Sequence, residues 1–483
     1  MNFNTALFLF LFLPAFLVIY LVARPHLRLW IALGASLLFY AWGQVFYIPL
    51  MLGVIWFNYR LGLRLAQSGA DSHRSLRGWL VLGIVANAGI LIFFKMLVTF
   101  GIGPFEQLMP ERIASWLQSL IFPLGLSYIS FQVISYLLDI YSGSVKAERK
   151  LLNFSVYVLL FPKLLVGPIA RYRSLADQLA EPTVSRELVA EGIRRFLQGF
   201  AKKVLIADVL AKLVNAVFDQ SGAMIQPHIA WLALAAYALQ IYFDFSGYTD
   251  MAIGLGRMMG FRFIENFNYP YISQSIGEFW RRWHISLSSW FRDYVFYPLE
   301  RRRIRFIGQP LNILIVFLLT GLWHGLAPTY VVWGLLHGIF IAFEGLFLGR
   351  ALNRLYRPFR HAYAVAAILL TWLVFRSPSP AFALEYLSRL AGNTAGITTL
   401  PFTLTSPLPF IEPSFWLAFF FAVLLSMPVA PLVESMARDF LGRRPNLTLP
   451  LTALNDFILL FLFVLAVGAM TSSKFLPGIY GRF

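Results

Sequence analysis

The sequence predicts an all-α, polytopic membrane protein, and three observations carry that prediction. Of 483 residues, 59% are hydrophobic and only 13% charged, too few to cover the surface of a soluble protein of this length. Apolar runs recur from end to end, including residues 5–22, 79–100, 310–323, 330–348 and 451–470. The basic residues sit in the short stretches between those runs, where the positive-inside rule expects them. On length, roughly 11 to 13 tilted or re-entrant helices are membrane-embedded.

The elements follow in order. Residues 5–22 have no basic segment before them and no small-residue cleavage site after them, so they read as a retained helix, not a signal peptide. The uncharged N-terminus precedes Arg24 and Arg28, which places it outside and the first loop in the cytoplasm. Arg60, Arg64, Arg74 and Arg77 mark the next cytoplasmic stretch. Arg438, Arg443 and Arg444 precede the last apolar run, so residues 471–483 are expected outside. Two regions are too polar to be simple spans. Residues 171–203 carry seven basic residues and an amphipathic pattern (Leu188, Ile193, Phe196, Leu197, Phe200), which suggests a helix lying on the cytoplasmic interface. Residues 266–305 are dense in aromatics and arginine and read as a re-entrant or interfacial segment. No soluble domain, linker or repeat appears, so residues 1–483 read as one membrane-embedded domain.

Composition also excludes chemistry. There is no cysteine, which removes disulfides, thiolate metal sites and cysteine nucleophiles together. The seven histidines show no HExxH spacing or close pair, so no metal is expected. A net charge of +17 on a soluble domain would suggest nucleic acid; here topology accounts for it, and lipid, not nucleic acid, is the expected surrounding.

Polar residues inside apolar segments are the candidates for function. His324 stands in Gly321-Leu322-Trp323-His324-Gly325 at the end of a long apolar run. A histidine there is costly unless it is neutral and hydrogen-bonded or meets a cavity. The glycines permit close backbone approach, and Pro328 stops the helix soon after. Tying two helices together by one hydrogen bond is the structural alternative. His284 stands in Phe279-Trp280-Arg281-Arg282-Trp283-His284-Ile285-Ser286-Leu287-Ser288, followed by Trp290-Phe291-Arg292-Asp293-Tyr294. An interfacial belt explains those tryptophans and arginines but not His284. Upstream, Asp244 and Asp250 lie in an otherwise apolar stretch and are expected to pair with arginines or cap helices. Gly256 and Gly260 form a small-xxx-small pair suited to tight helix packing.

These segments together resemble the membrane-bound O-acyltransferase superfamily, in the branch of the bacterial alginate O-acetylation membrane proteins. Further matches are Gly167-Pro168-Ile169 with Arg171-Tyr172, Glu265-Asn266-Phe267-Asn268-Tyr269-Pro270, and Trp333-Gly334-Leu335-Leu336-His337-Gly338. The resemblance spans residues 123–342. It implies helices ringed around a central tunnel, a catalytic histidine at His324 and a second polar partner at His284. It also implies acetyl-coenzyme A as a cytoplasmic donor substrate with no permanently bound cofactor. The implied partners are an extracytoplasmic serine-hydrolase-like (SGNH) acyltransferase and a polysaccharide or its synthase complex. One departure stands out: Tyr297-Pro298-Leu299 runs into Glu300-Arg301-Arg302-Arg303 where alginate-type members commonly carry Gly-Gly, which leaves the polymer open. That basic run, like Arg281 and Arg282, could meet the coenzyme's phosphates or lipid headgroups. The C-terminal Ile479-Tyr480-Gly481-Arg482-Phe483 resembles a terminal Tyr-x-x-Phe motif in which the tyrosine relays the acyl group; an aromatic interface anchor is the alternative.

The expected chemistry has His324 as general base on an acceptor hydroxyl that attacks the thioester. A tyrosine hydroxyl with a pKa of about 10 would need such a base. His284 would orient the acceptor or stabilise the oxyanion, a role that can contribute ~3 kcal/mol. A transporter or flippase shares the spans and buried ionisable groups but would more often show repeated halves, which are absent. A non-catalytic scaffold of a polysaccharide secretion complex is the third reading.

Overall fold

The computed structural model describes residues 2–67, 73–101, 103, 110–220, 225–301, 308–395 and 411–472. Among these the regular structure is helical and no β-strand occurs. A π-helical turn at Phe8–Phe12 leads into α1 (Leu13–Val22), then α2 (Pro25–Gln44), α3 (Ile48–Leu65) and α4 (His73–Phe100). Proline stands in the first turn of α2 and α3, where its missing N–H leaves no helix bond unmade, whereas Pro14 of α1 follows the π turn inside a continuous helix. Phe8, Phe12 and Phe16 stack along the inner face of this first helix against Phe39 and Phe161.

Shorter helices follow: α5 (Glu111–Ser119), α6 (Leu126–Tyr141), α7 (Leu151–Leu159), α8 (Phe161–Leu164) and α9 (Tyr172–Ala180). Helix α10 (Arg186–Ala201) continues through a π turn at Lys202–Ala207 into α11 (Asp208–Phe218) and then α12 (Pro227–Met258). The segment read as re-entrant or interfacial is broken into α13 (Ile276–Arg282), α14 (Ile285–Phe291), a π turn at Arg292–Phe296 and α15 (Tyr297–Arg301). Longer elements resume with α16 (Gly308–His324), α17 (Pro328–Phe343), a π turn at Glu344–Leu348, α18 (Gly349–Arg354) and α19 (Arg357–Arg376). The chain ends in α20 (Pro380–Leu390), α21 (Pro413–Leu425), α22 (Val429–Arg443) and α23 (Thr448–Ser472).

Among the described residues, six helical stretches are long and apolar enough to cross a bilayer. They are Pro25–Leu65, Ser75–Phe100, Pro227–Met258, Pro328–Arg354, Arg357–Arg376 and Pro445–Thr471. The pair α21 and α22, bent by 65°, makes a seventh if counted as one broken span. The protein is a multi-pass membrane protein. Its long spans are fewer than 11 to 13 because much apolar sequence goes into short helices such as α6, which is buried along nearly its whole length. Such helices can stop short of a full span because neighbouring helices, not lipid, satisfy and cover them. Helix α12 is the axis, with 83% of its apolar window buried, whereas the last span has 11% and faces outward.

The close packing of α10 on α12 sets the central architecture. A Cβ at Gly199 would lie 2.5 Å from the Gly247 carbonyl oxygen, and one at Gly192 would lie 2.6 Å from that of Gly254. The two glycine pairs run antiparallel at a seven-residue spacing, so the backbones touch directly. This corrects one expectation. The packing glycines are these four, whereas Gly260 takes a left-handed turn (φ 84°) and Gly256 meets Phe263. The apolar face of α10 puts Phe196 and Phe200 against α12, while Ile193 stays exposed.

Candidate active site

Helix α16 delivers His324 at its last residue, and a tight hairpin to α17 fixes where that end lies. Gly321 sits against the Tyr330 carbonyl, 2.5 Å from where a Cβ would be, and Gly334 of α17 lies against the Phe317 carbonyl. Pro328 opens α17 after three intervening residues. His324 is buried, with ring centroids at 4.6 Å to Trp323, 4.9 Å to Trp333 and 5.1 Å to Phe375. Aromatic walls of this kind hold an imidazole in place and exclude water.

His324 also lines a cavity of about 330 Å³, the size range of a small-molecule site. Beside His324, its polar lining comes from four helices and a π turn. Helix α4 supplies Lys95, α11 supplies Asp208 and Asn215, α12 supplies Tyr237, Gln240 and Asp244, and α19 supplies Arg376; Lys203 comes from the π turn before α11. The Lys203 ammonium is 2.5 Å from Asp208 and 2.6 Å from Asp244, a buried triad of one cation and two carboxylates. Arg376 binds Asn215 at 3.1 Å and Asp219 at 3.3 Å. Asp250, one and a half turns beyond Asp244, takes Arg195 and Lys202, each at 2.7 Å. Both aspartates therefore have the cationic partners expected of them, supplied by two lysines and one arginine.

The cavity is reached by the C-terminal ends of α4, α16 and α19 and by the middle of α12. The opposite ends of α4, α16 and α19 carry Arg77, Arg301 and Arg357 respectively, or are preceded by them.

His284 occupies a different position. It takes a left-handed backbone conformation (φ 43°) as the residue before α14, and its ring is buried edge-on against Phe245 at 4.6 Å. It is absent from the cavity lining around His324, though Trp323 neighbours both rings, with ring centroids at 4.6 Å from His324 and 6.3 Å from His284. Its Nδ1 is 3.4 Å from Ser286 Oγ, and its Nε2 has no hydrogen-bond partner among the described residues. Motif residues hold this turn. Asn266 accepts the backbone N–H groups of Ile285 (3.0 Å) and Ser286 (3.1 Å), and Ser286 Oγ accepts from Ile169 (3.1 Å). Farther along, Arg171 binds Asp293 at 2.6 Å and Tyr294 donates to Asp139 at 2.8 Å.

Neither arginine proposed for the coenzyme lines the cavity. Arg282 is tied to Glu278 at 2.9 Å and to the Asn268 carbonyl at 3.1 Å, and Arg281 is exposed. Tyr480, Arg302 and Arg303 lie outside the described residues. A third buried histidine, His337, accepts at Nδ1 from Trp280 Nε1 (3.2 Å) inside a cluster of tryptophans. Sequence reasoning passed over Lys95, Lys203, Asp208, Asn215 and Gln240. Lys95 was legible, as the one charged residue in the run 79–100. Lys203 was hidden by Lys202 beside it, in a stretch that reads as interfacial.

Comparison with known proteins gives the class. The family model for MBOAT, membrane-bound O-acyltransferase family, matches residues 147–378. The probable alginate O-acetylase AlgI of Pseudomonas aeruginosa is 42% identical over 379 residues, covering 78% of this chain and 72% of that protein. The chain belongs to the membrane-bound O-acyltransferase family. The peptidoglycan O-acetyltransferase of Helicobacter pylori is 34% identical over 433 residues, covering 81% and 80% of the two chains. The teichoic acid D-alanyltransferase of Bacillus subtilis is 30% identical over 310 residues, covering 61% and 75%. This membrane-bound O-acyltransferase is thus an acyl-transferring enzyme, and the matched stretch contains Lys203, Asp244, His284 and His324.

Proposed function

We propose that this O-acyltransferase moves an acetyl group from cytoplasmic acetyl-coenzyme A to an extracytoplasmic polysaccharide, as one domain over residues 1–483 in a bacterial inner membrane. The observation that carries the reading is His324, buried among aromatic rings at the end of α16 and facing a polar cavity. Relatives named for acetylation of alginate and peptidoglycan support acetyl as the group and a polysaccharide as the destination. The positive-inside rule supports sidedness, because the cavity lies at the ends of α4, α16 and α19 away from their arginine-rich ends.

In this mechanism His324 takes the proton of the acceptor hydroxyl as its oxygen bonds to the thioester carbonyl carbon. The tetrahedral oxyanion collapses by breaking the carbon–sulfur bond, and the thiolate leaves with the proton held on the imidazole. His284, beside Trp323 and with its Nε2 buried and without a hydrogen-bond partner among the described residues, orients the acceptor or stabilises the oxyanion. Arg281 and Arg282 serve the coenzyme's phosphates, an assignment that rests on their charge and motif position alone. Tyr480 carries the acyl group onward in the relay form of the proposal, and a serine-hydrolase-like extracytoplasmic transferase completes delivery to the polymer or its synthase complex.

The test is incubation of purified protein with isotopically labelled acetyl-coenzyme A, read by coenzyme release and by intact and peptide mass. His324→Ala should insert and fold but release coenzyme at least about a hundredfold more slowly, the scale of one lost acid–base group. Label on Tyr480 that vanishes in both His324→Ala and Tyr480→Phe supports the relay; turnover only with an added acceptor supports direct transfer. Undiminished transfer by His324→Ala refutes the mechanism.

A further inference from the structure

Lys95 is the single charged residue between positions 79 and 100, on a helix whose Val85, Ile92, Phe93 and Met96 are exposed on the outer surface of the protein. Its side chain turns the other way, into the cavity that His324 lines, with the ammonium 5.5 Å from the centre of the Phe122 ring. The ammonium is near enough to His324 for its field to act on that imidazole. The other cations of the cavity are answered locally, Lys203 by Asp208 and Asp244 and Arg376 by Asp219. Among the described residues Lys95 enters no ion pair. A cation on an apolar span is costly without a counter-charge, so its partner is to be sought in the cavity it faces.

The reaction itself makes such a partner. When an oxygen nucleophile adds to a thioester carbonyl, the carbonyl oxygen becomes an anion that needs a positive group already in place. His324 cannot supply that group while it takes the acceptor's proton, and His284 does not line this cavity. Lys203 and Arg376 already face carboxylates. Lys95 is left as the lining cation whose charge is unanswered among the described residues. An ammonium that pairs only when the anion forms holds the transition state more tightly than the bound substrate, which is the condition for raising kcat.

We propose that Lys95 is a catalytic residue, its ammonium meeting the oxyanion of the tetrahedral intermediate formed beside His324. The proposal rests on the acyl-transfer reading and adds a group to its mechanism. In the addition step the acceptor oxygen bonds to the carbonyl carbon, its proton passes to His324, and the carbonyl π pair moves onto the oxygen facing Lys95. In the collapse that pair re-forms the carbonyl, the carbon–sulfur bond breaks, and the thiolate leaves with the bonding electrons, balanced by the proton on the imidazolium. Lys95 keeps its own proton throughout. Of the two roles given to His284, orienting the acceptor is then the one it performs.

The experiment is steady-state kinetics on the full-length protein in lipid nanodiscs, with thermal unfolding measured alongside. Acetyl-coenzyme A is the donor, and a short uronic-acid oligosaccharide or its carboxyl-reduced counterpart is the acceptor. Lys95→Met keeps the reach of the side chain and removes its charge. It should lower kcat roughly a hundred- to a thousandfold, the scale of one lost oxyanion donor. Both KM values should change little, the loss should be the same with either acceptor, and Lys95→Arg should recover part of it. The unfolding temperature of Lys95→Met should hold or rise, because a cation without a counter-charge has left an apolar span. An undiminished kcat in Lys95→Met overturns the proposal and leaves Lys95 a headgroup anchor. A loss confined to KM, confined to the carboxylated acceptor, or matched by a fall in unfolding temperature overturns it too. A wild type that releases no coenzyme with either acceptor overturns the acyl-transfer reading and the proposal together, so wild-type turnover tells the two failures apart.

Discussion

Substituting Gly199 by alanine tests whether the α10–α12 contact sets the cavity wall. The added Cβ would stand 2.5 Å from the Gly247 carbonyl oxygen, 2.7 Å from the Met251 nitrogen and 2.8 Å from Asp250 Cβ. An ordinary carbon–oxygen contact begins at ~3.3 Å, so the helices must part by about 0.8 Å. The nearest obstacles are backbone atoms, which cannot swing aside as a long side chain could. Overpacking of this kind costs about 1–3 kcal/mol. The same displacement acts on Lys203, bonded at 2.5 and 2.6 Å to Asp208 and Asp244, and would stretch the bond across the helix pair beyond the ~3.2 Å limit of a strong hydrogen bond. Gly89, on α4, has open space where an alanine methyl would stand, with nothing within 4 Å, so Gly89→Ala should be neutral or slightly stabilising. Thermal unfolding in detergent, with acyl transfer measured alongside, separates the two. If Gly199→Ala is as stable and active as Gly89→Ala, backbone contact between α10 and α12 is not what positions the triad.

Two further outcomes follow from buried charge. Lys203→Met leaves Asp208 and Asp244 without their cation and should cost about 3–5 kcal/mol; adding Asp208→Asn and Asp244→Asn should recover a large part of it, read by thermal unfolding of the single and triple variants. Asp293 is held below the usual carboxylate range: burial raises its pKa, and the hydrogen bonds of Arg292 and Arg171 more than reverse that. A depressed folded-state value gives stability that is present above the unfolded pKa of about 3.9 and is lost as pH falls through the lower folded value. Asp293→Asn should therefore lower the unfolding temperature at neutral pH and flatten its decline in acid, which a pH series of melting curves would reveal.

The fold class was legible because hydropathy and the placement of arginine are properties of single segments. The break-up of residues 266–305 into short helices was legible for the same reason, since its polar density ruled out a simple span. Contacts between distant segments were not. Nothing local distinguishes Gly199 and Gly247, which touch, from Gly256, which meets its own C-terminal turn. The amphipathic face of α10 is equally suited to lipid and to α12, and the glycine register that brings it onto α12 is visible in neither segment alone. His324 stood out as a histidine in an apolar run, and the family resemblance drew attention to His284. That both rings neighbour Trp323 could not be read from a separation of 40 positions. Lys95 was visible as a lone charge, but its meaning depends on residues from α11, α12 and α19 gathered beside it.

The π turn at Lys202–Ala207 makes the cavity wall a question of phase. A π turn holds one residue more than the α-helical turn it replaces. Two lysines adjacent in sequence, both in this turn, answer acids that lie six positions apart on α12, Lys202 taking Asp250 and Lys203 taking Asp244. Downstream, Asp208, Ala211 and Asn215 all face the cavity. Removing any one residue from the turn would restore α-helical winding and leave the helices on either side in phase, because the turn already absorbs the extra residue. Losing a residue from within α11 would instead turn Asn215 by about 100° relative to Asp208 and carry one of them off the wall, so the chamber depends on a residue count as much as on residue identities.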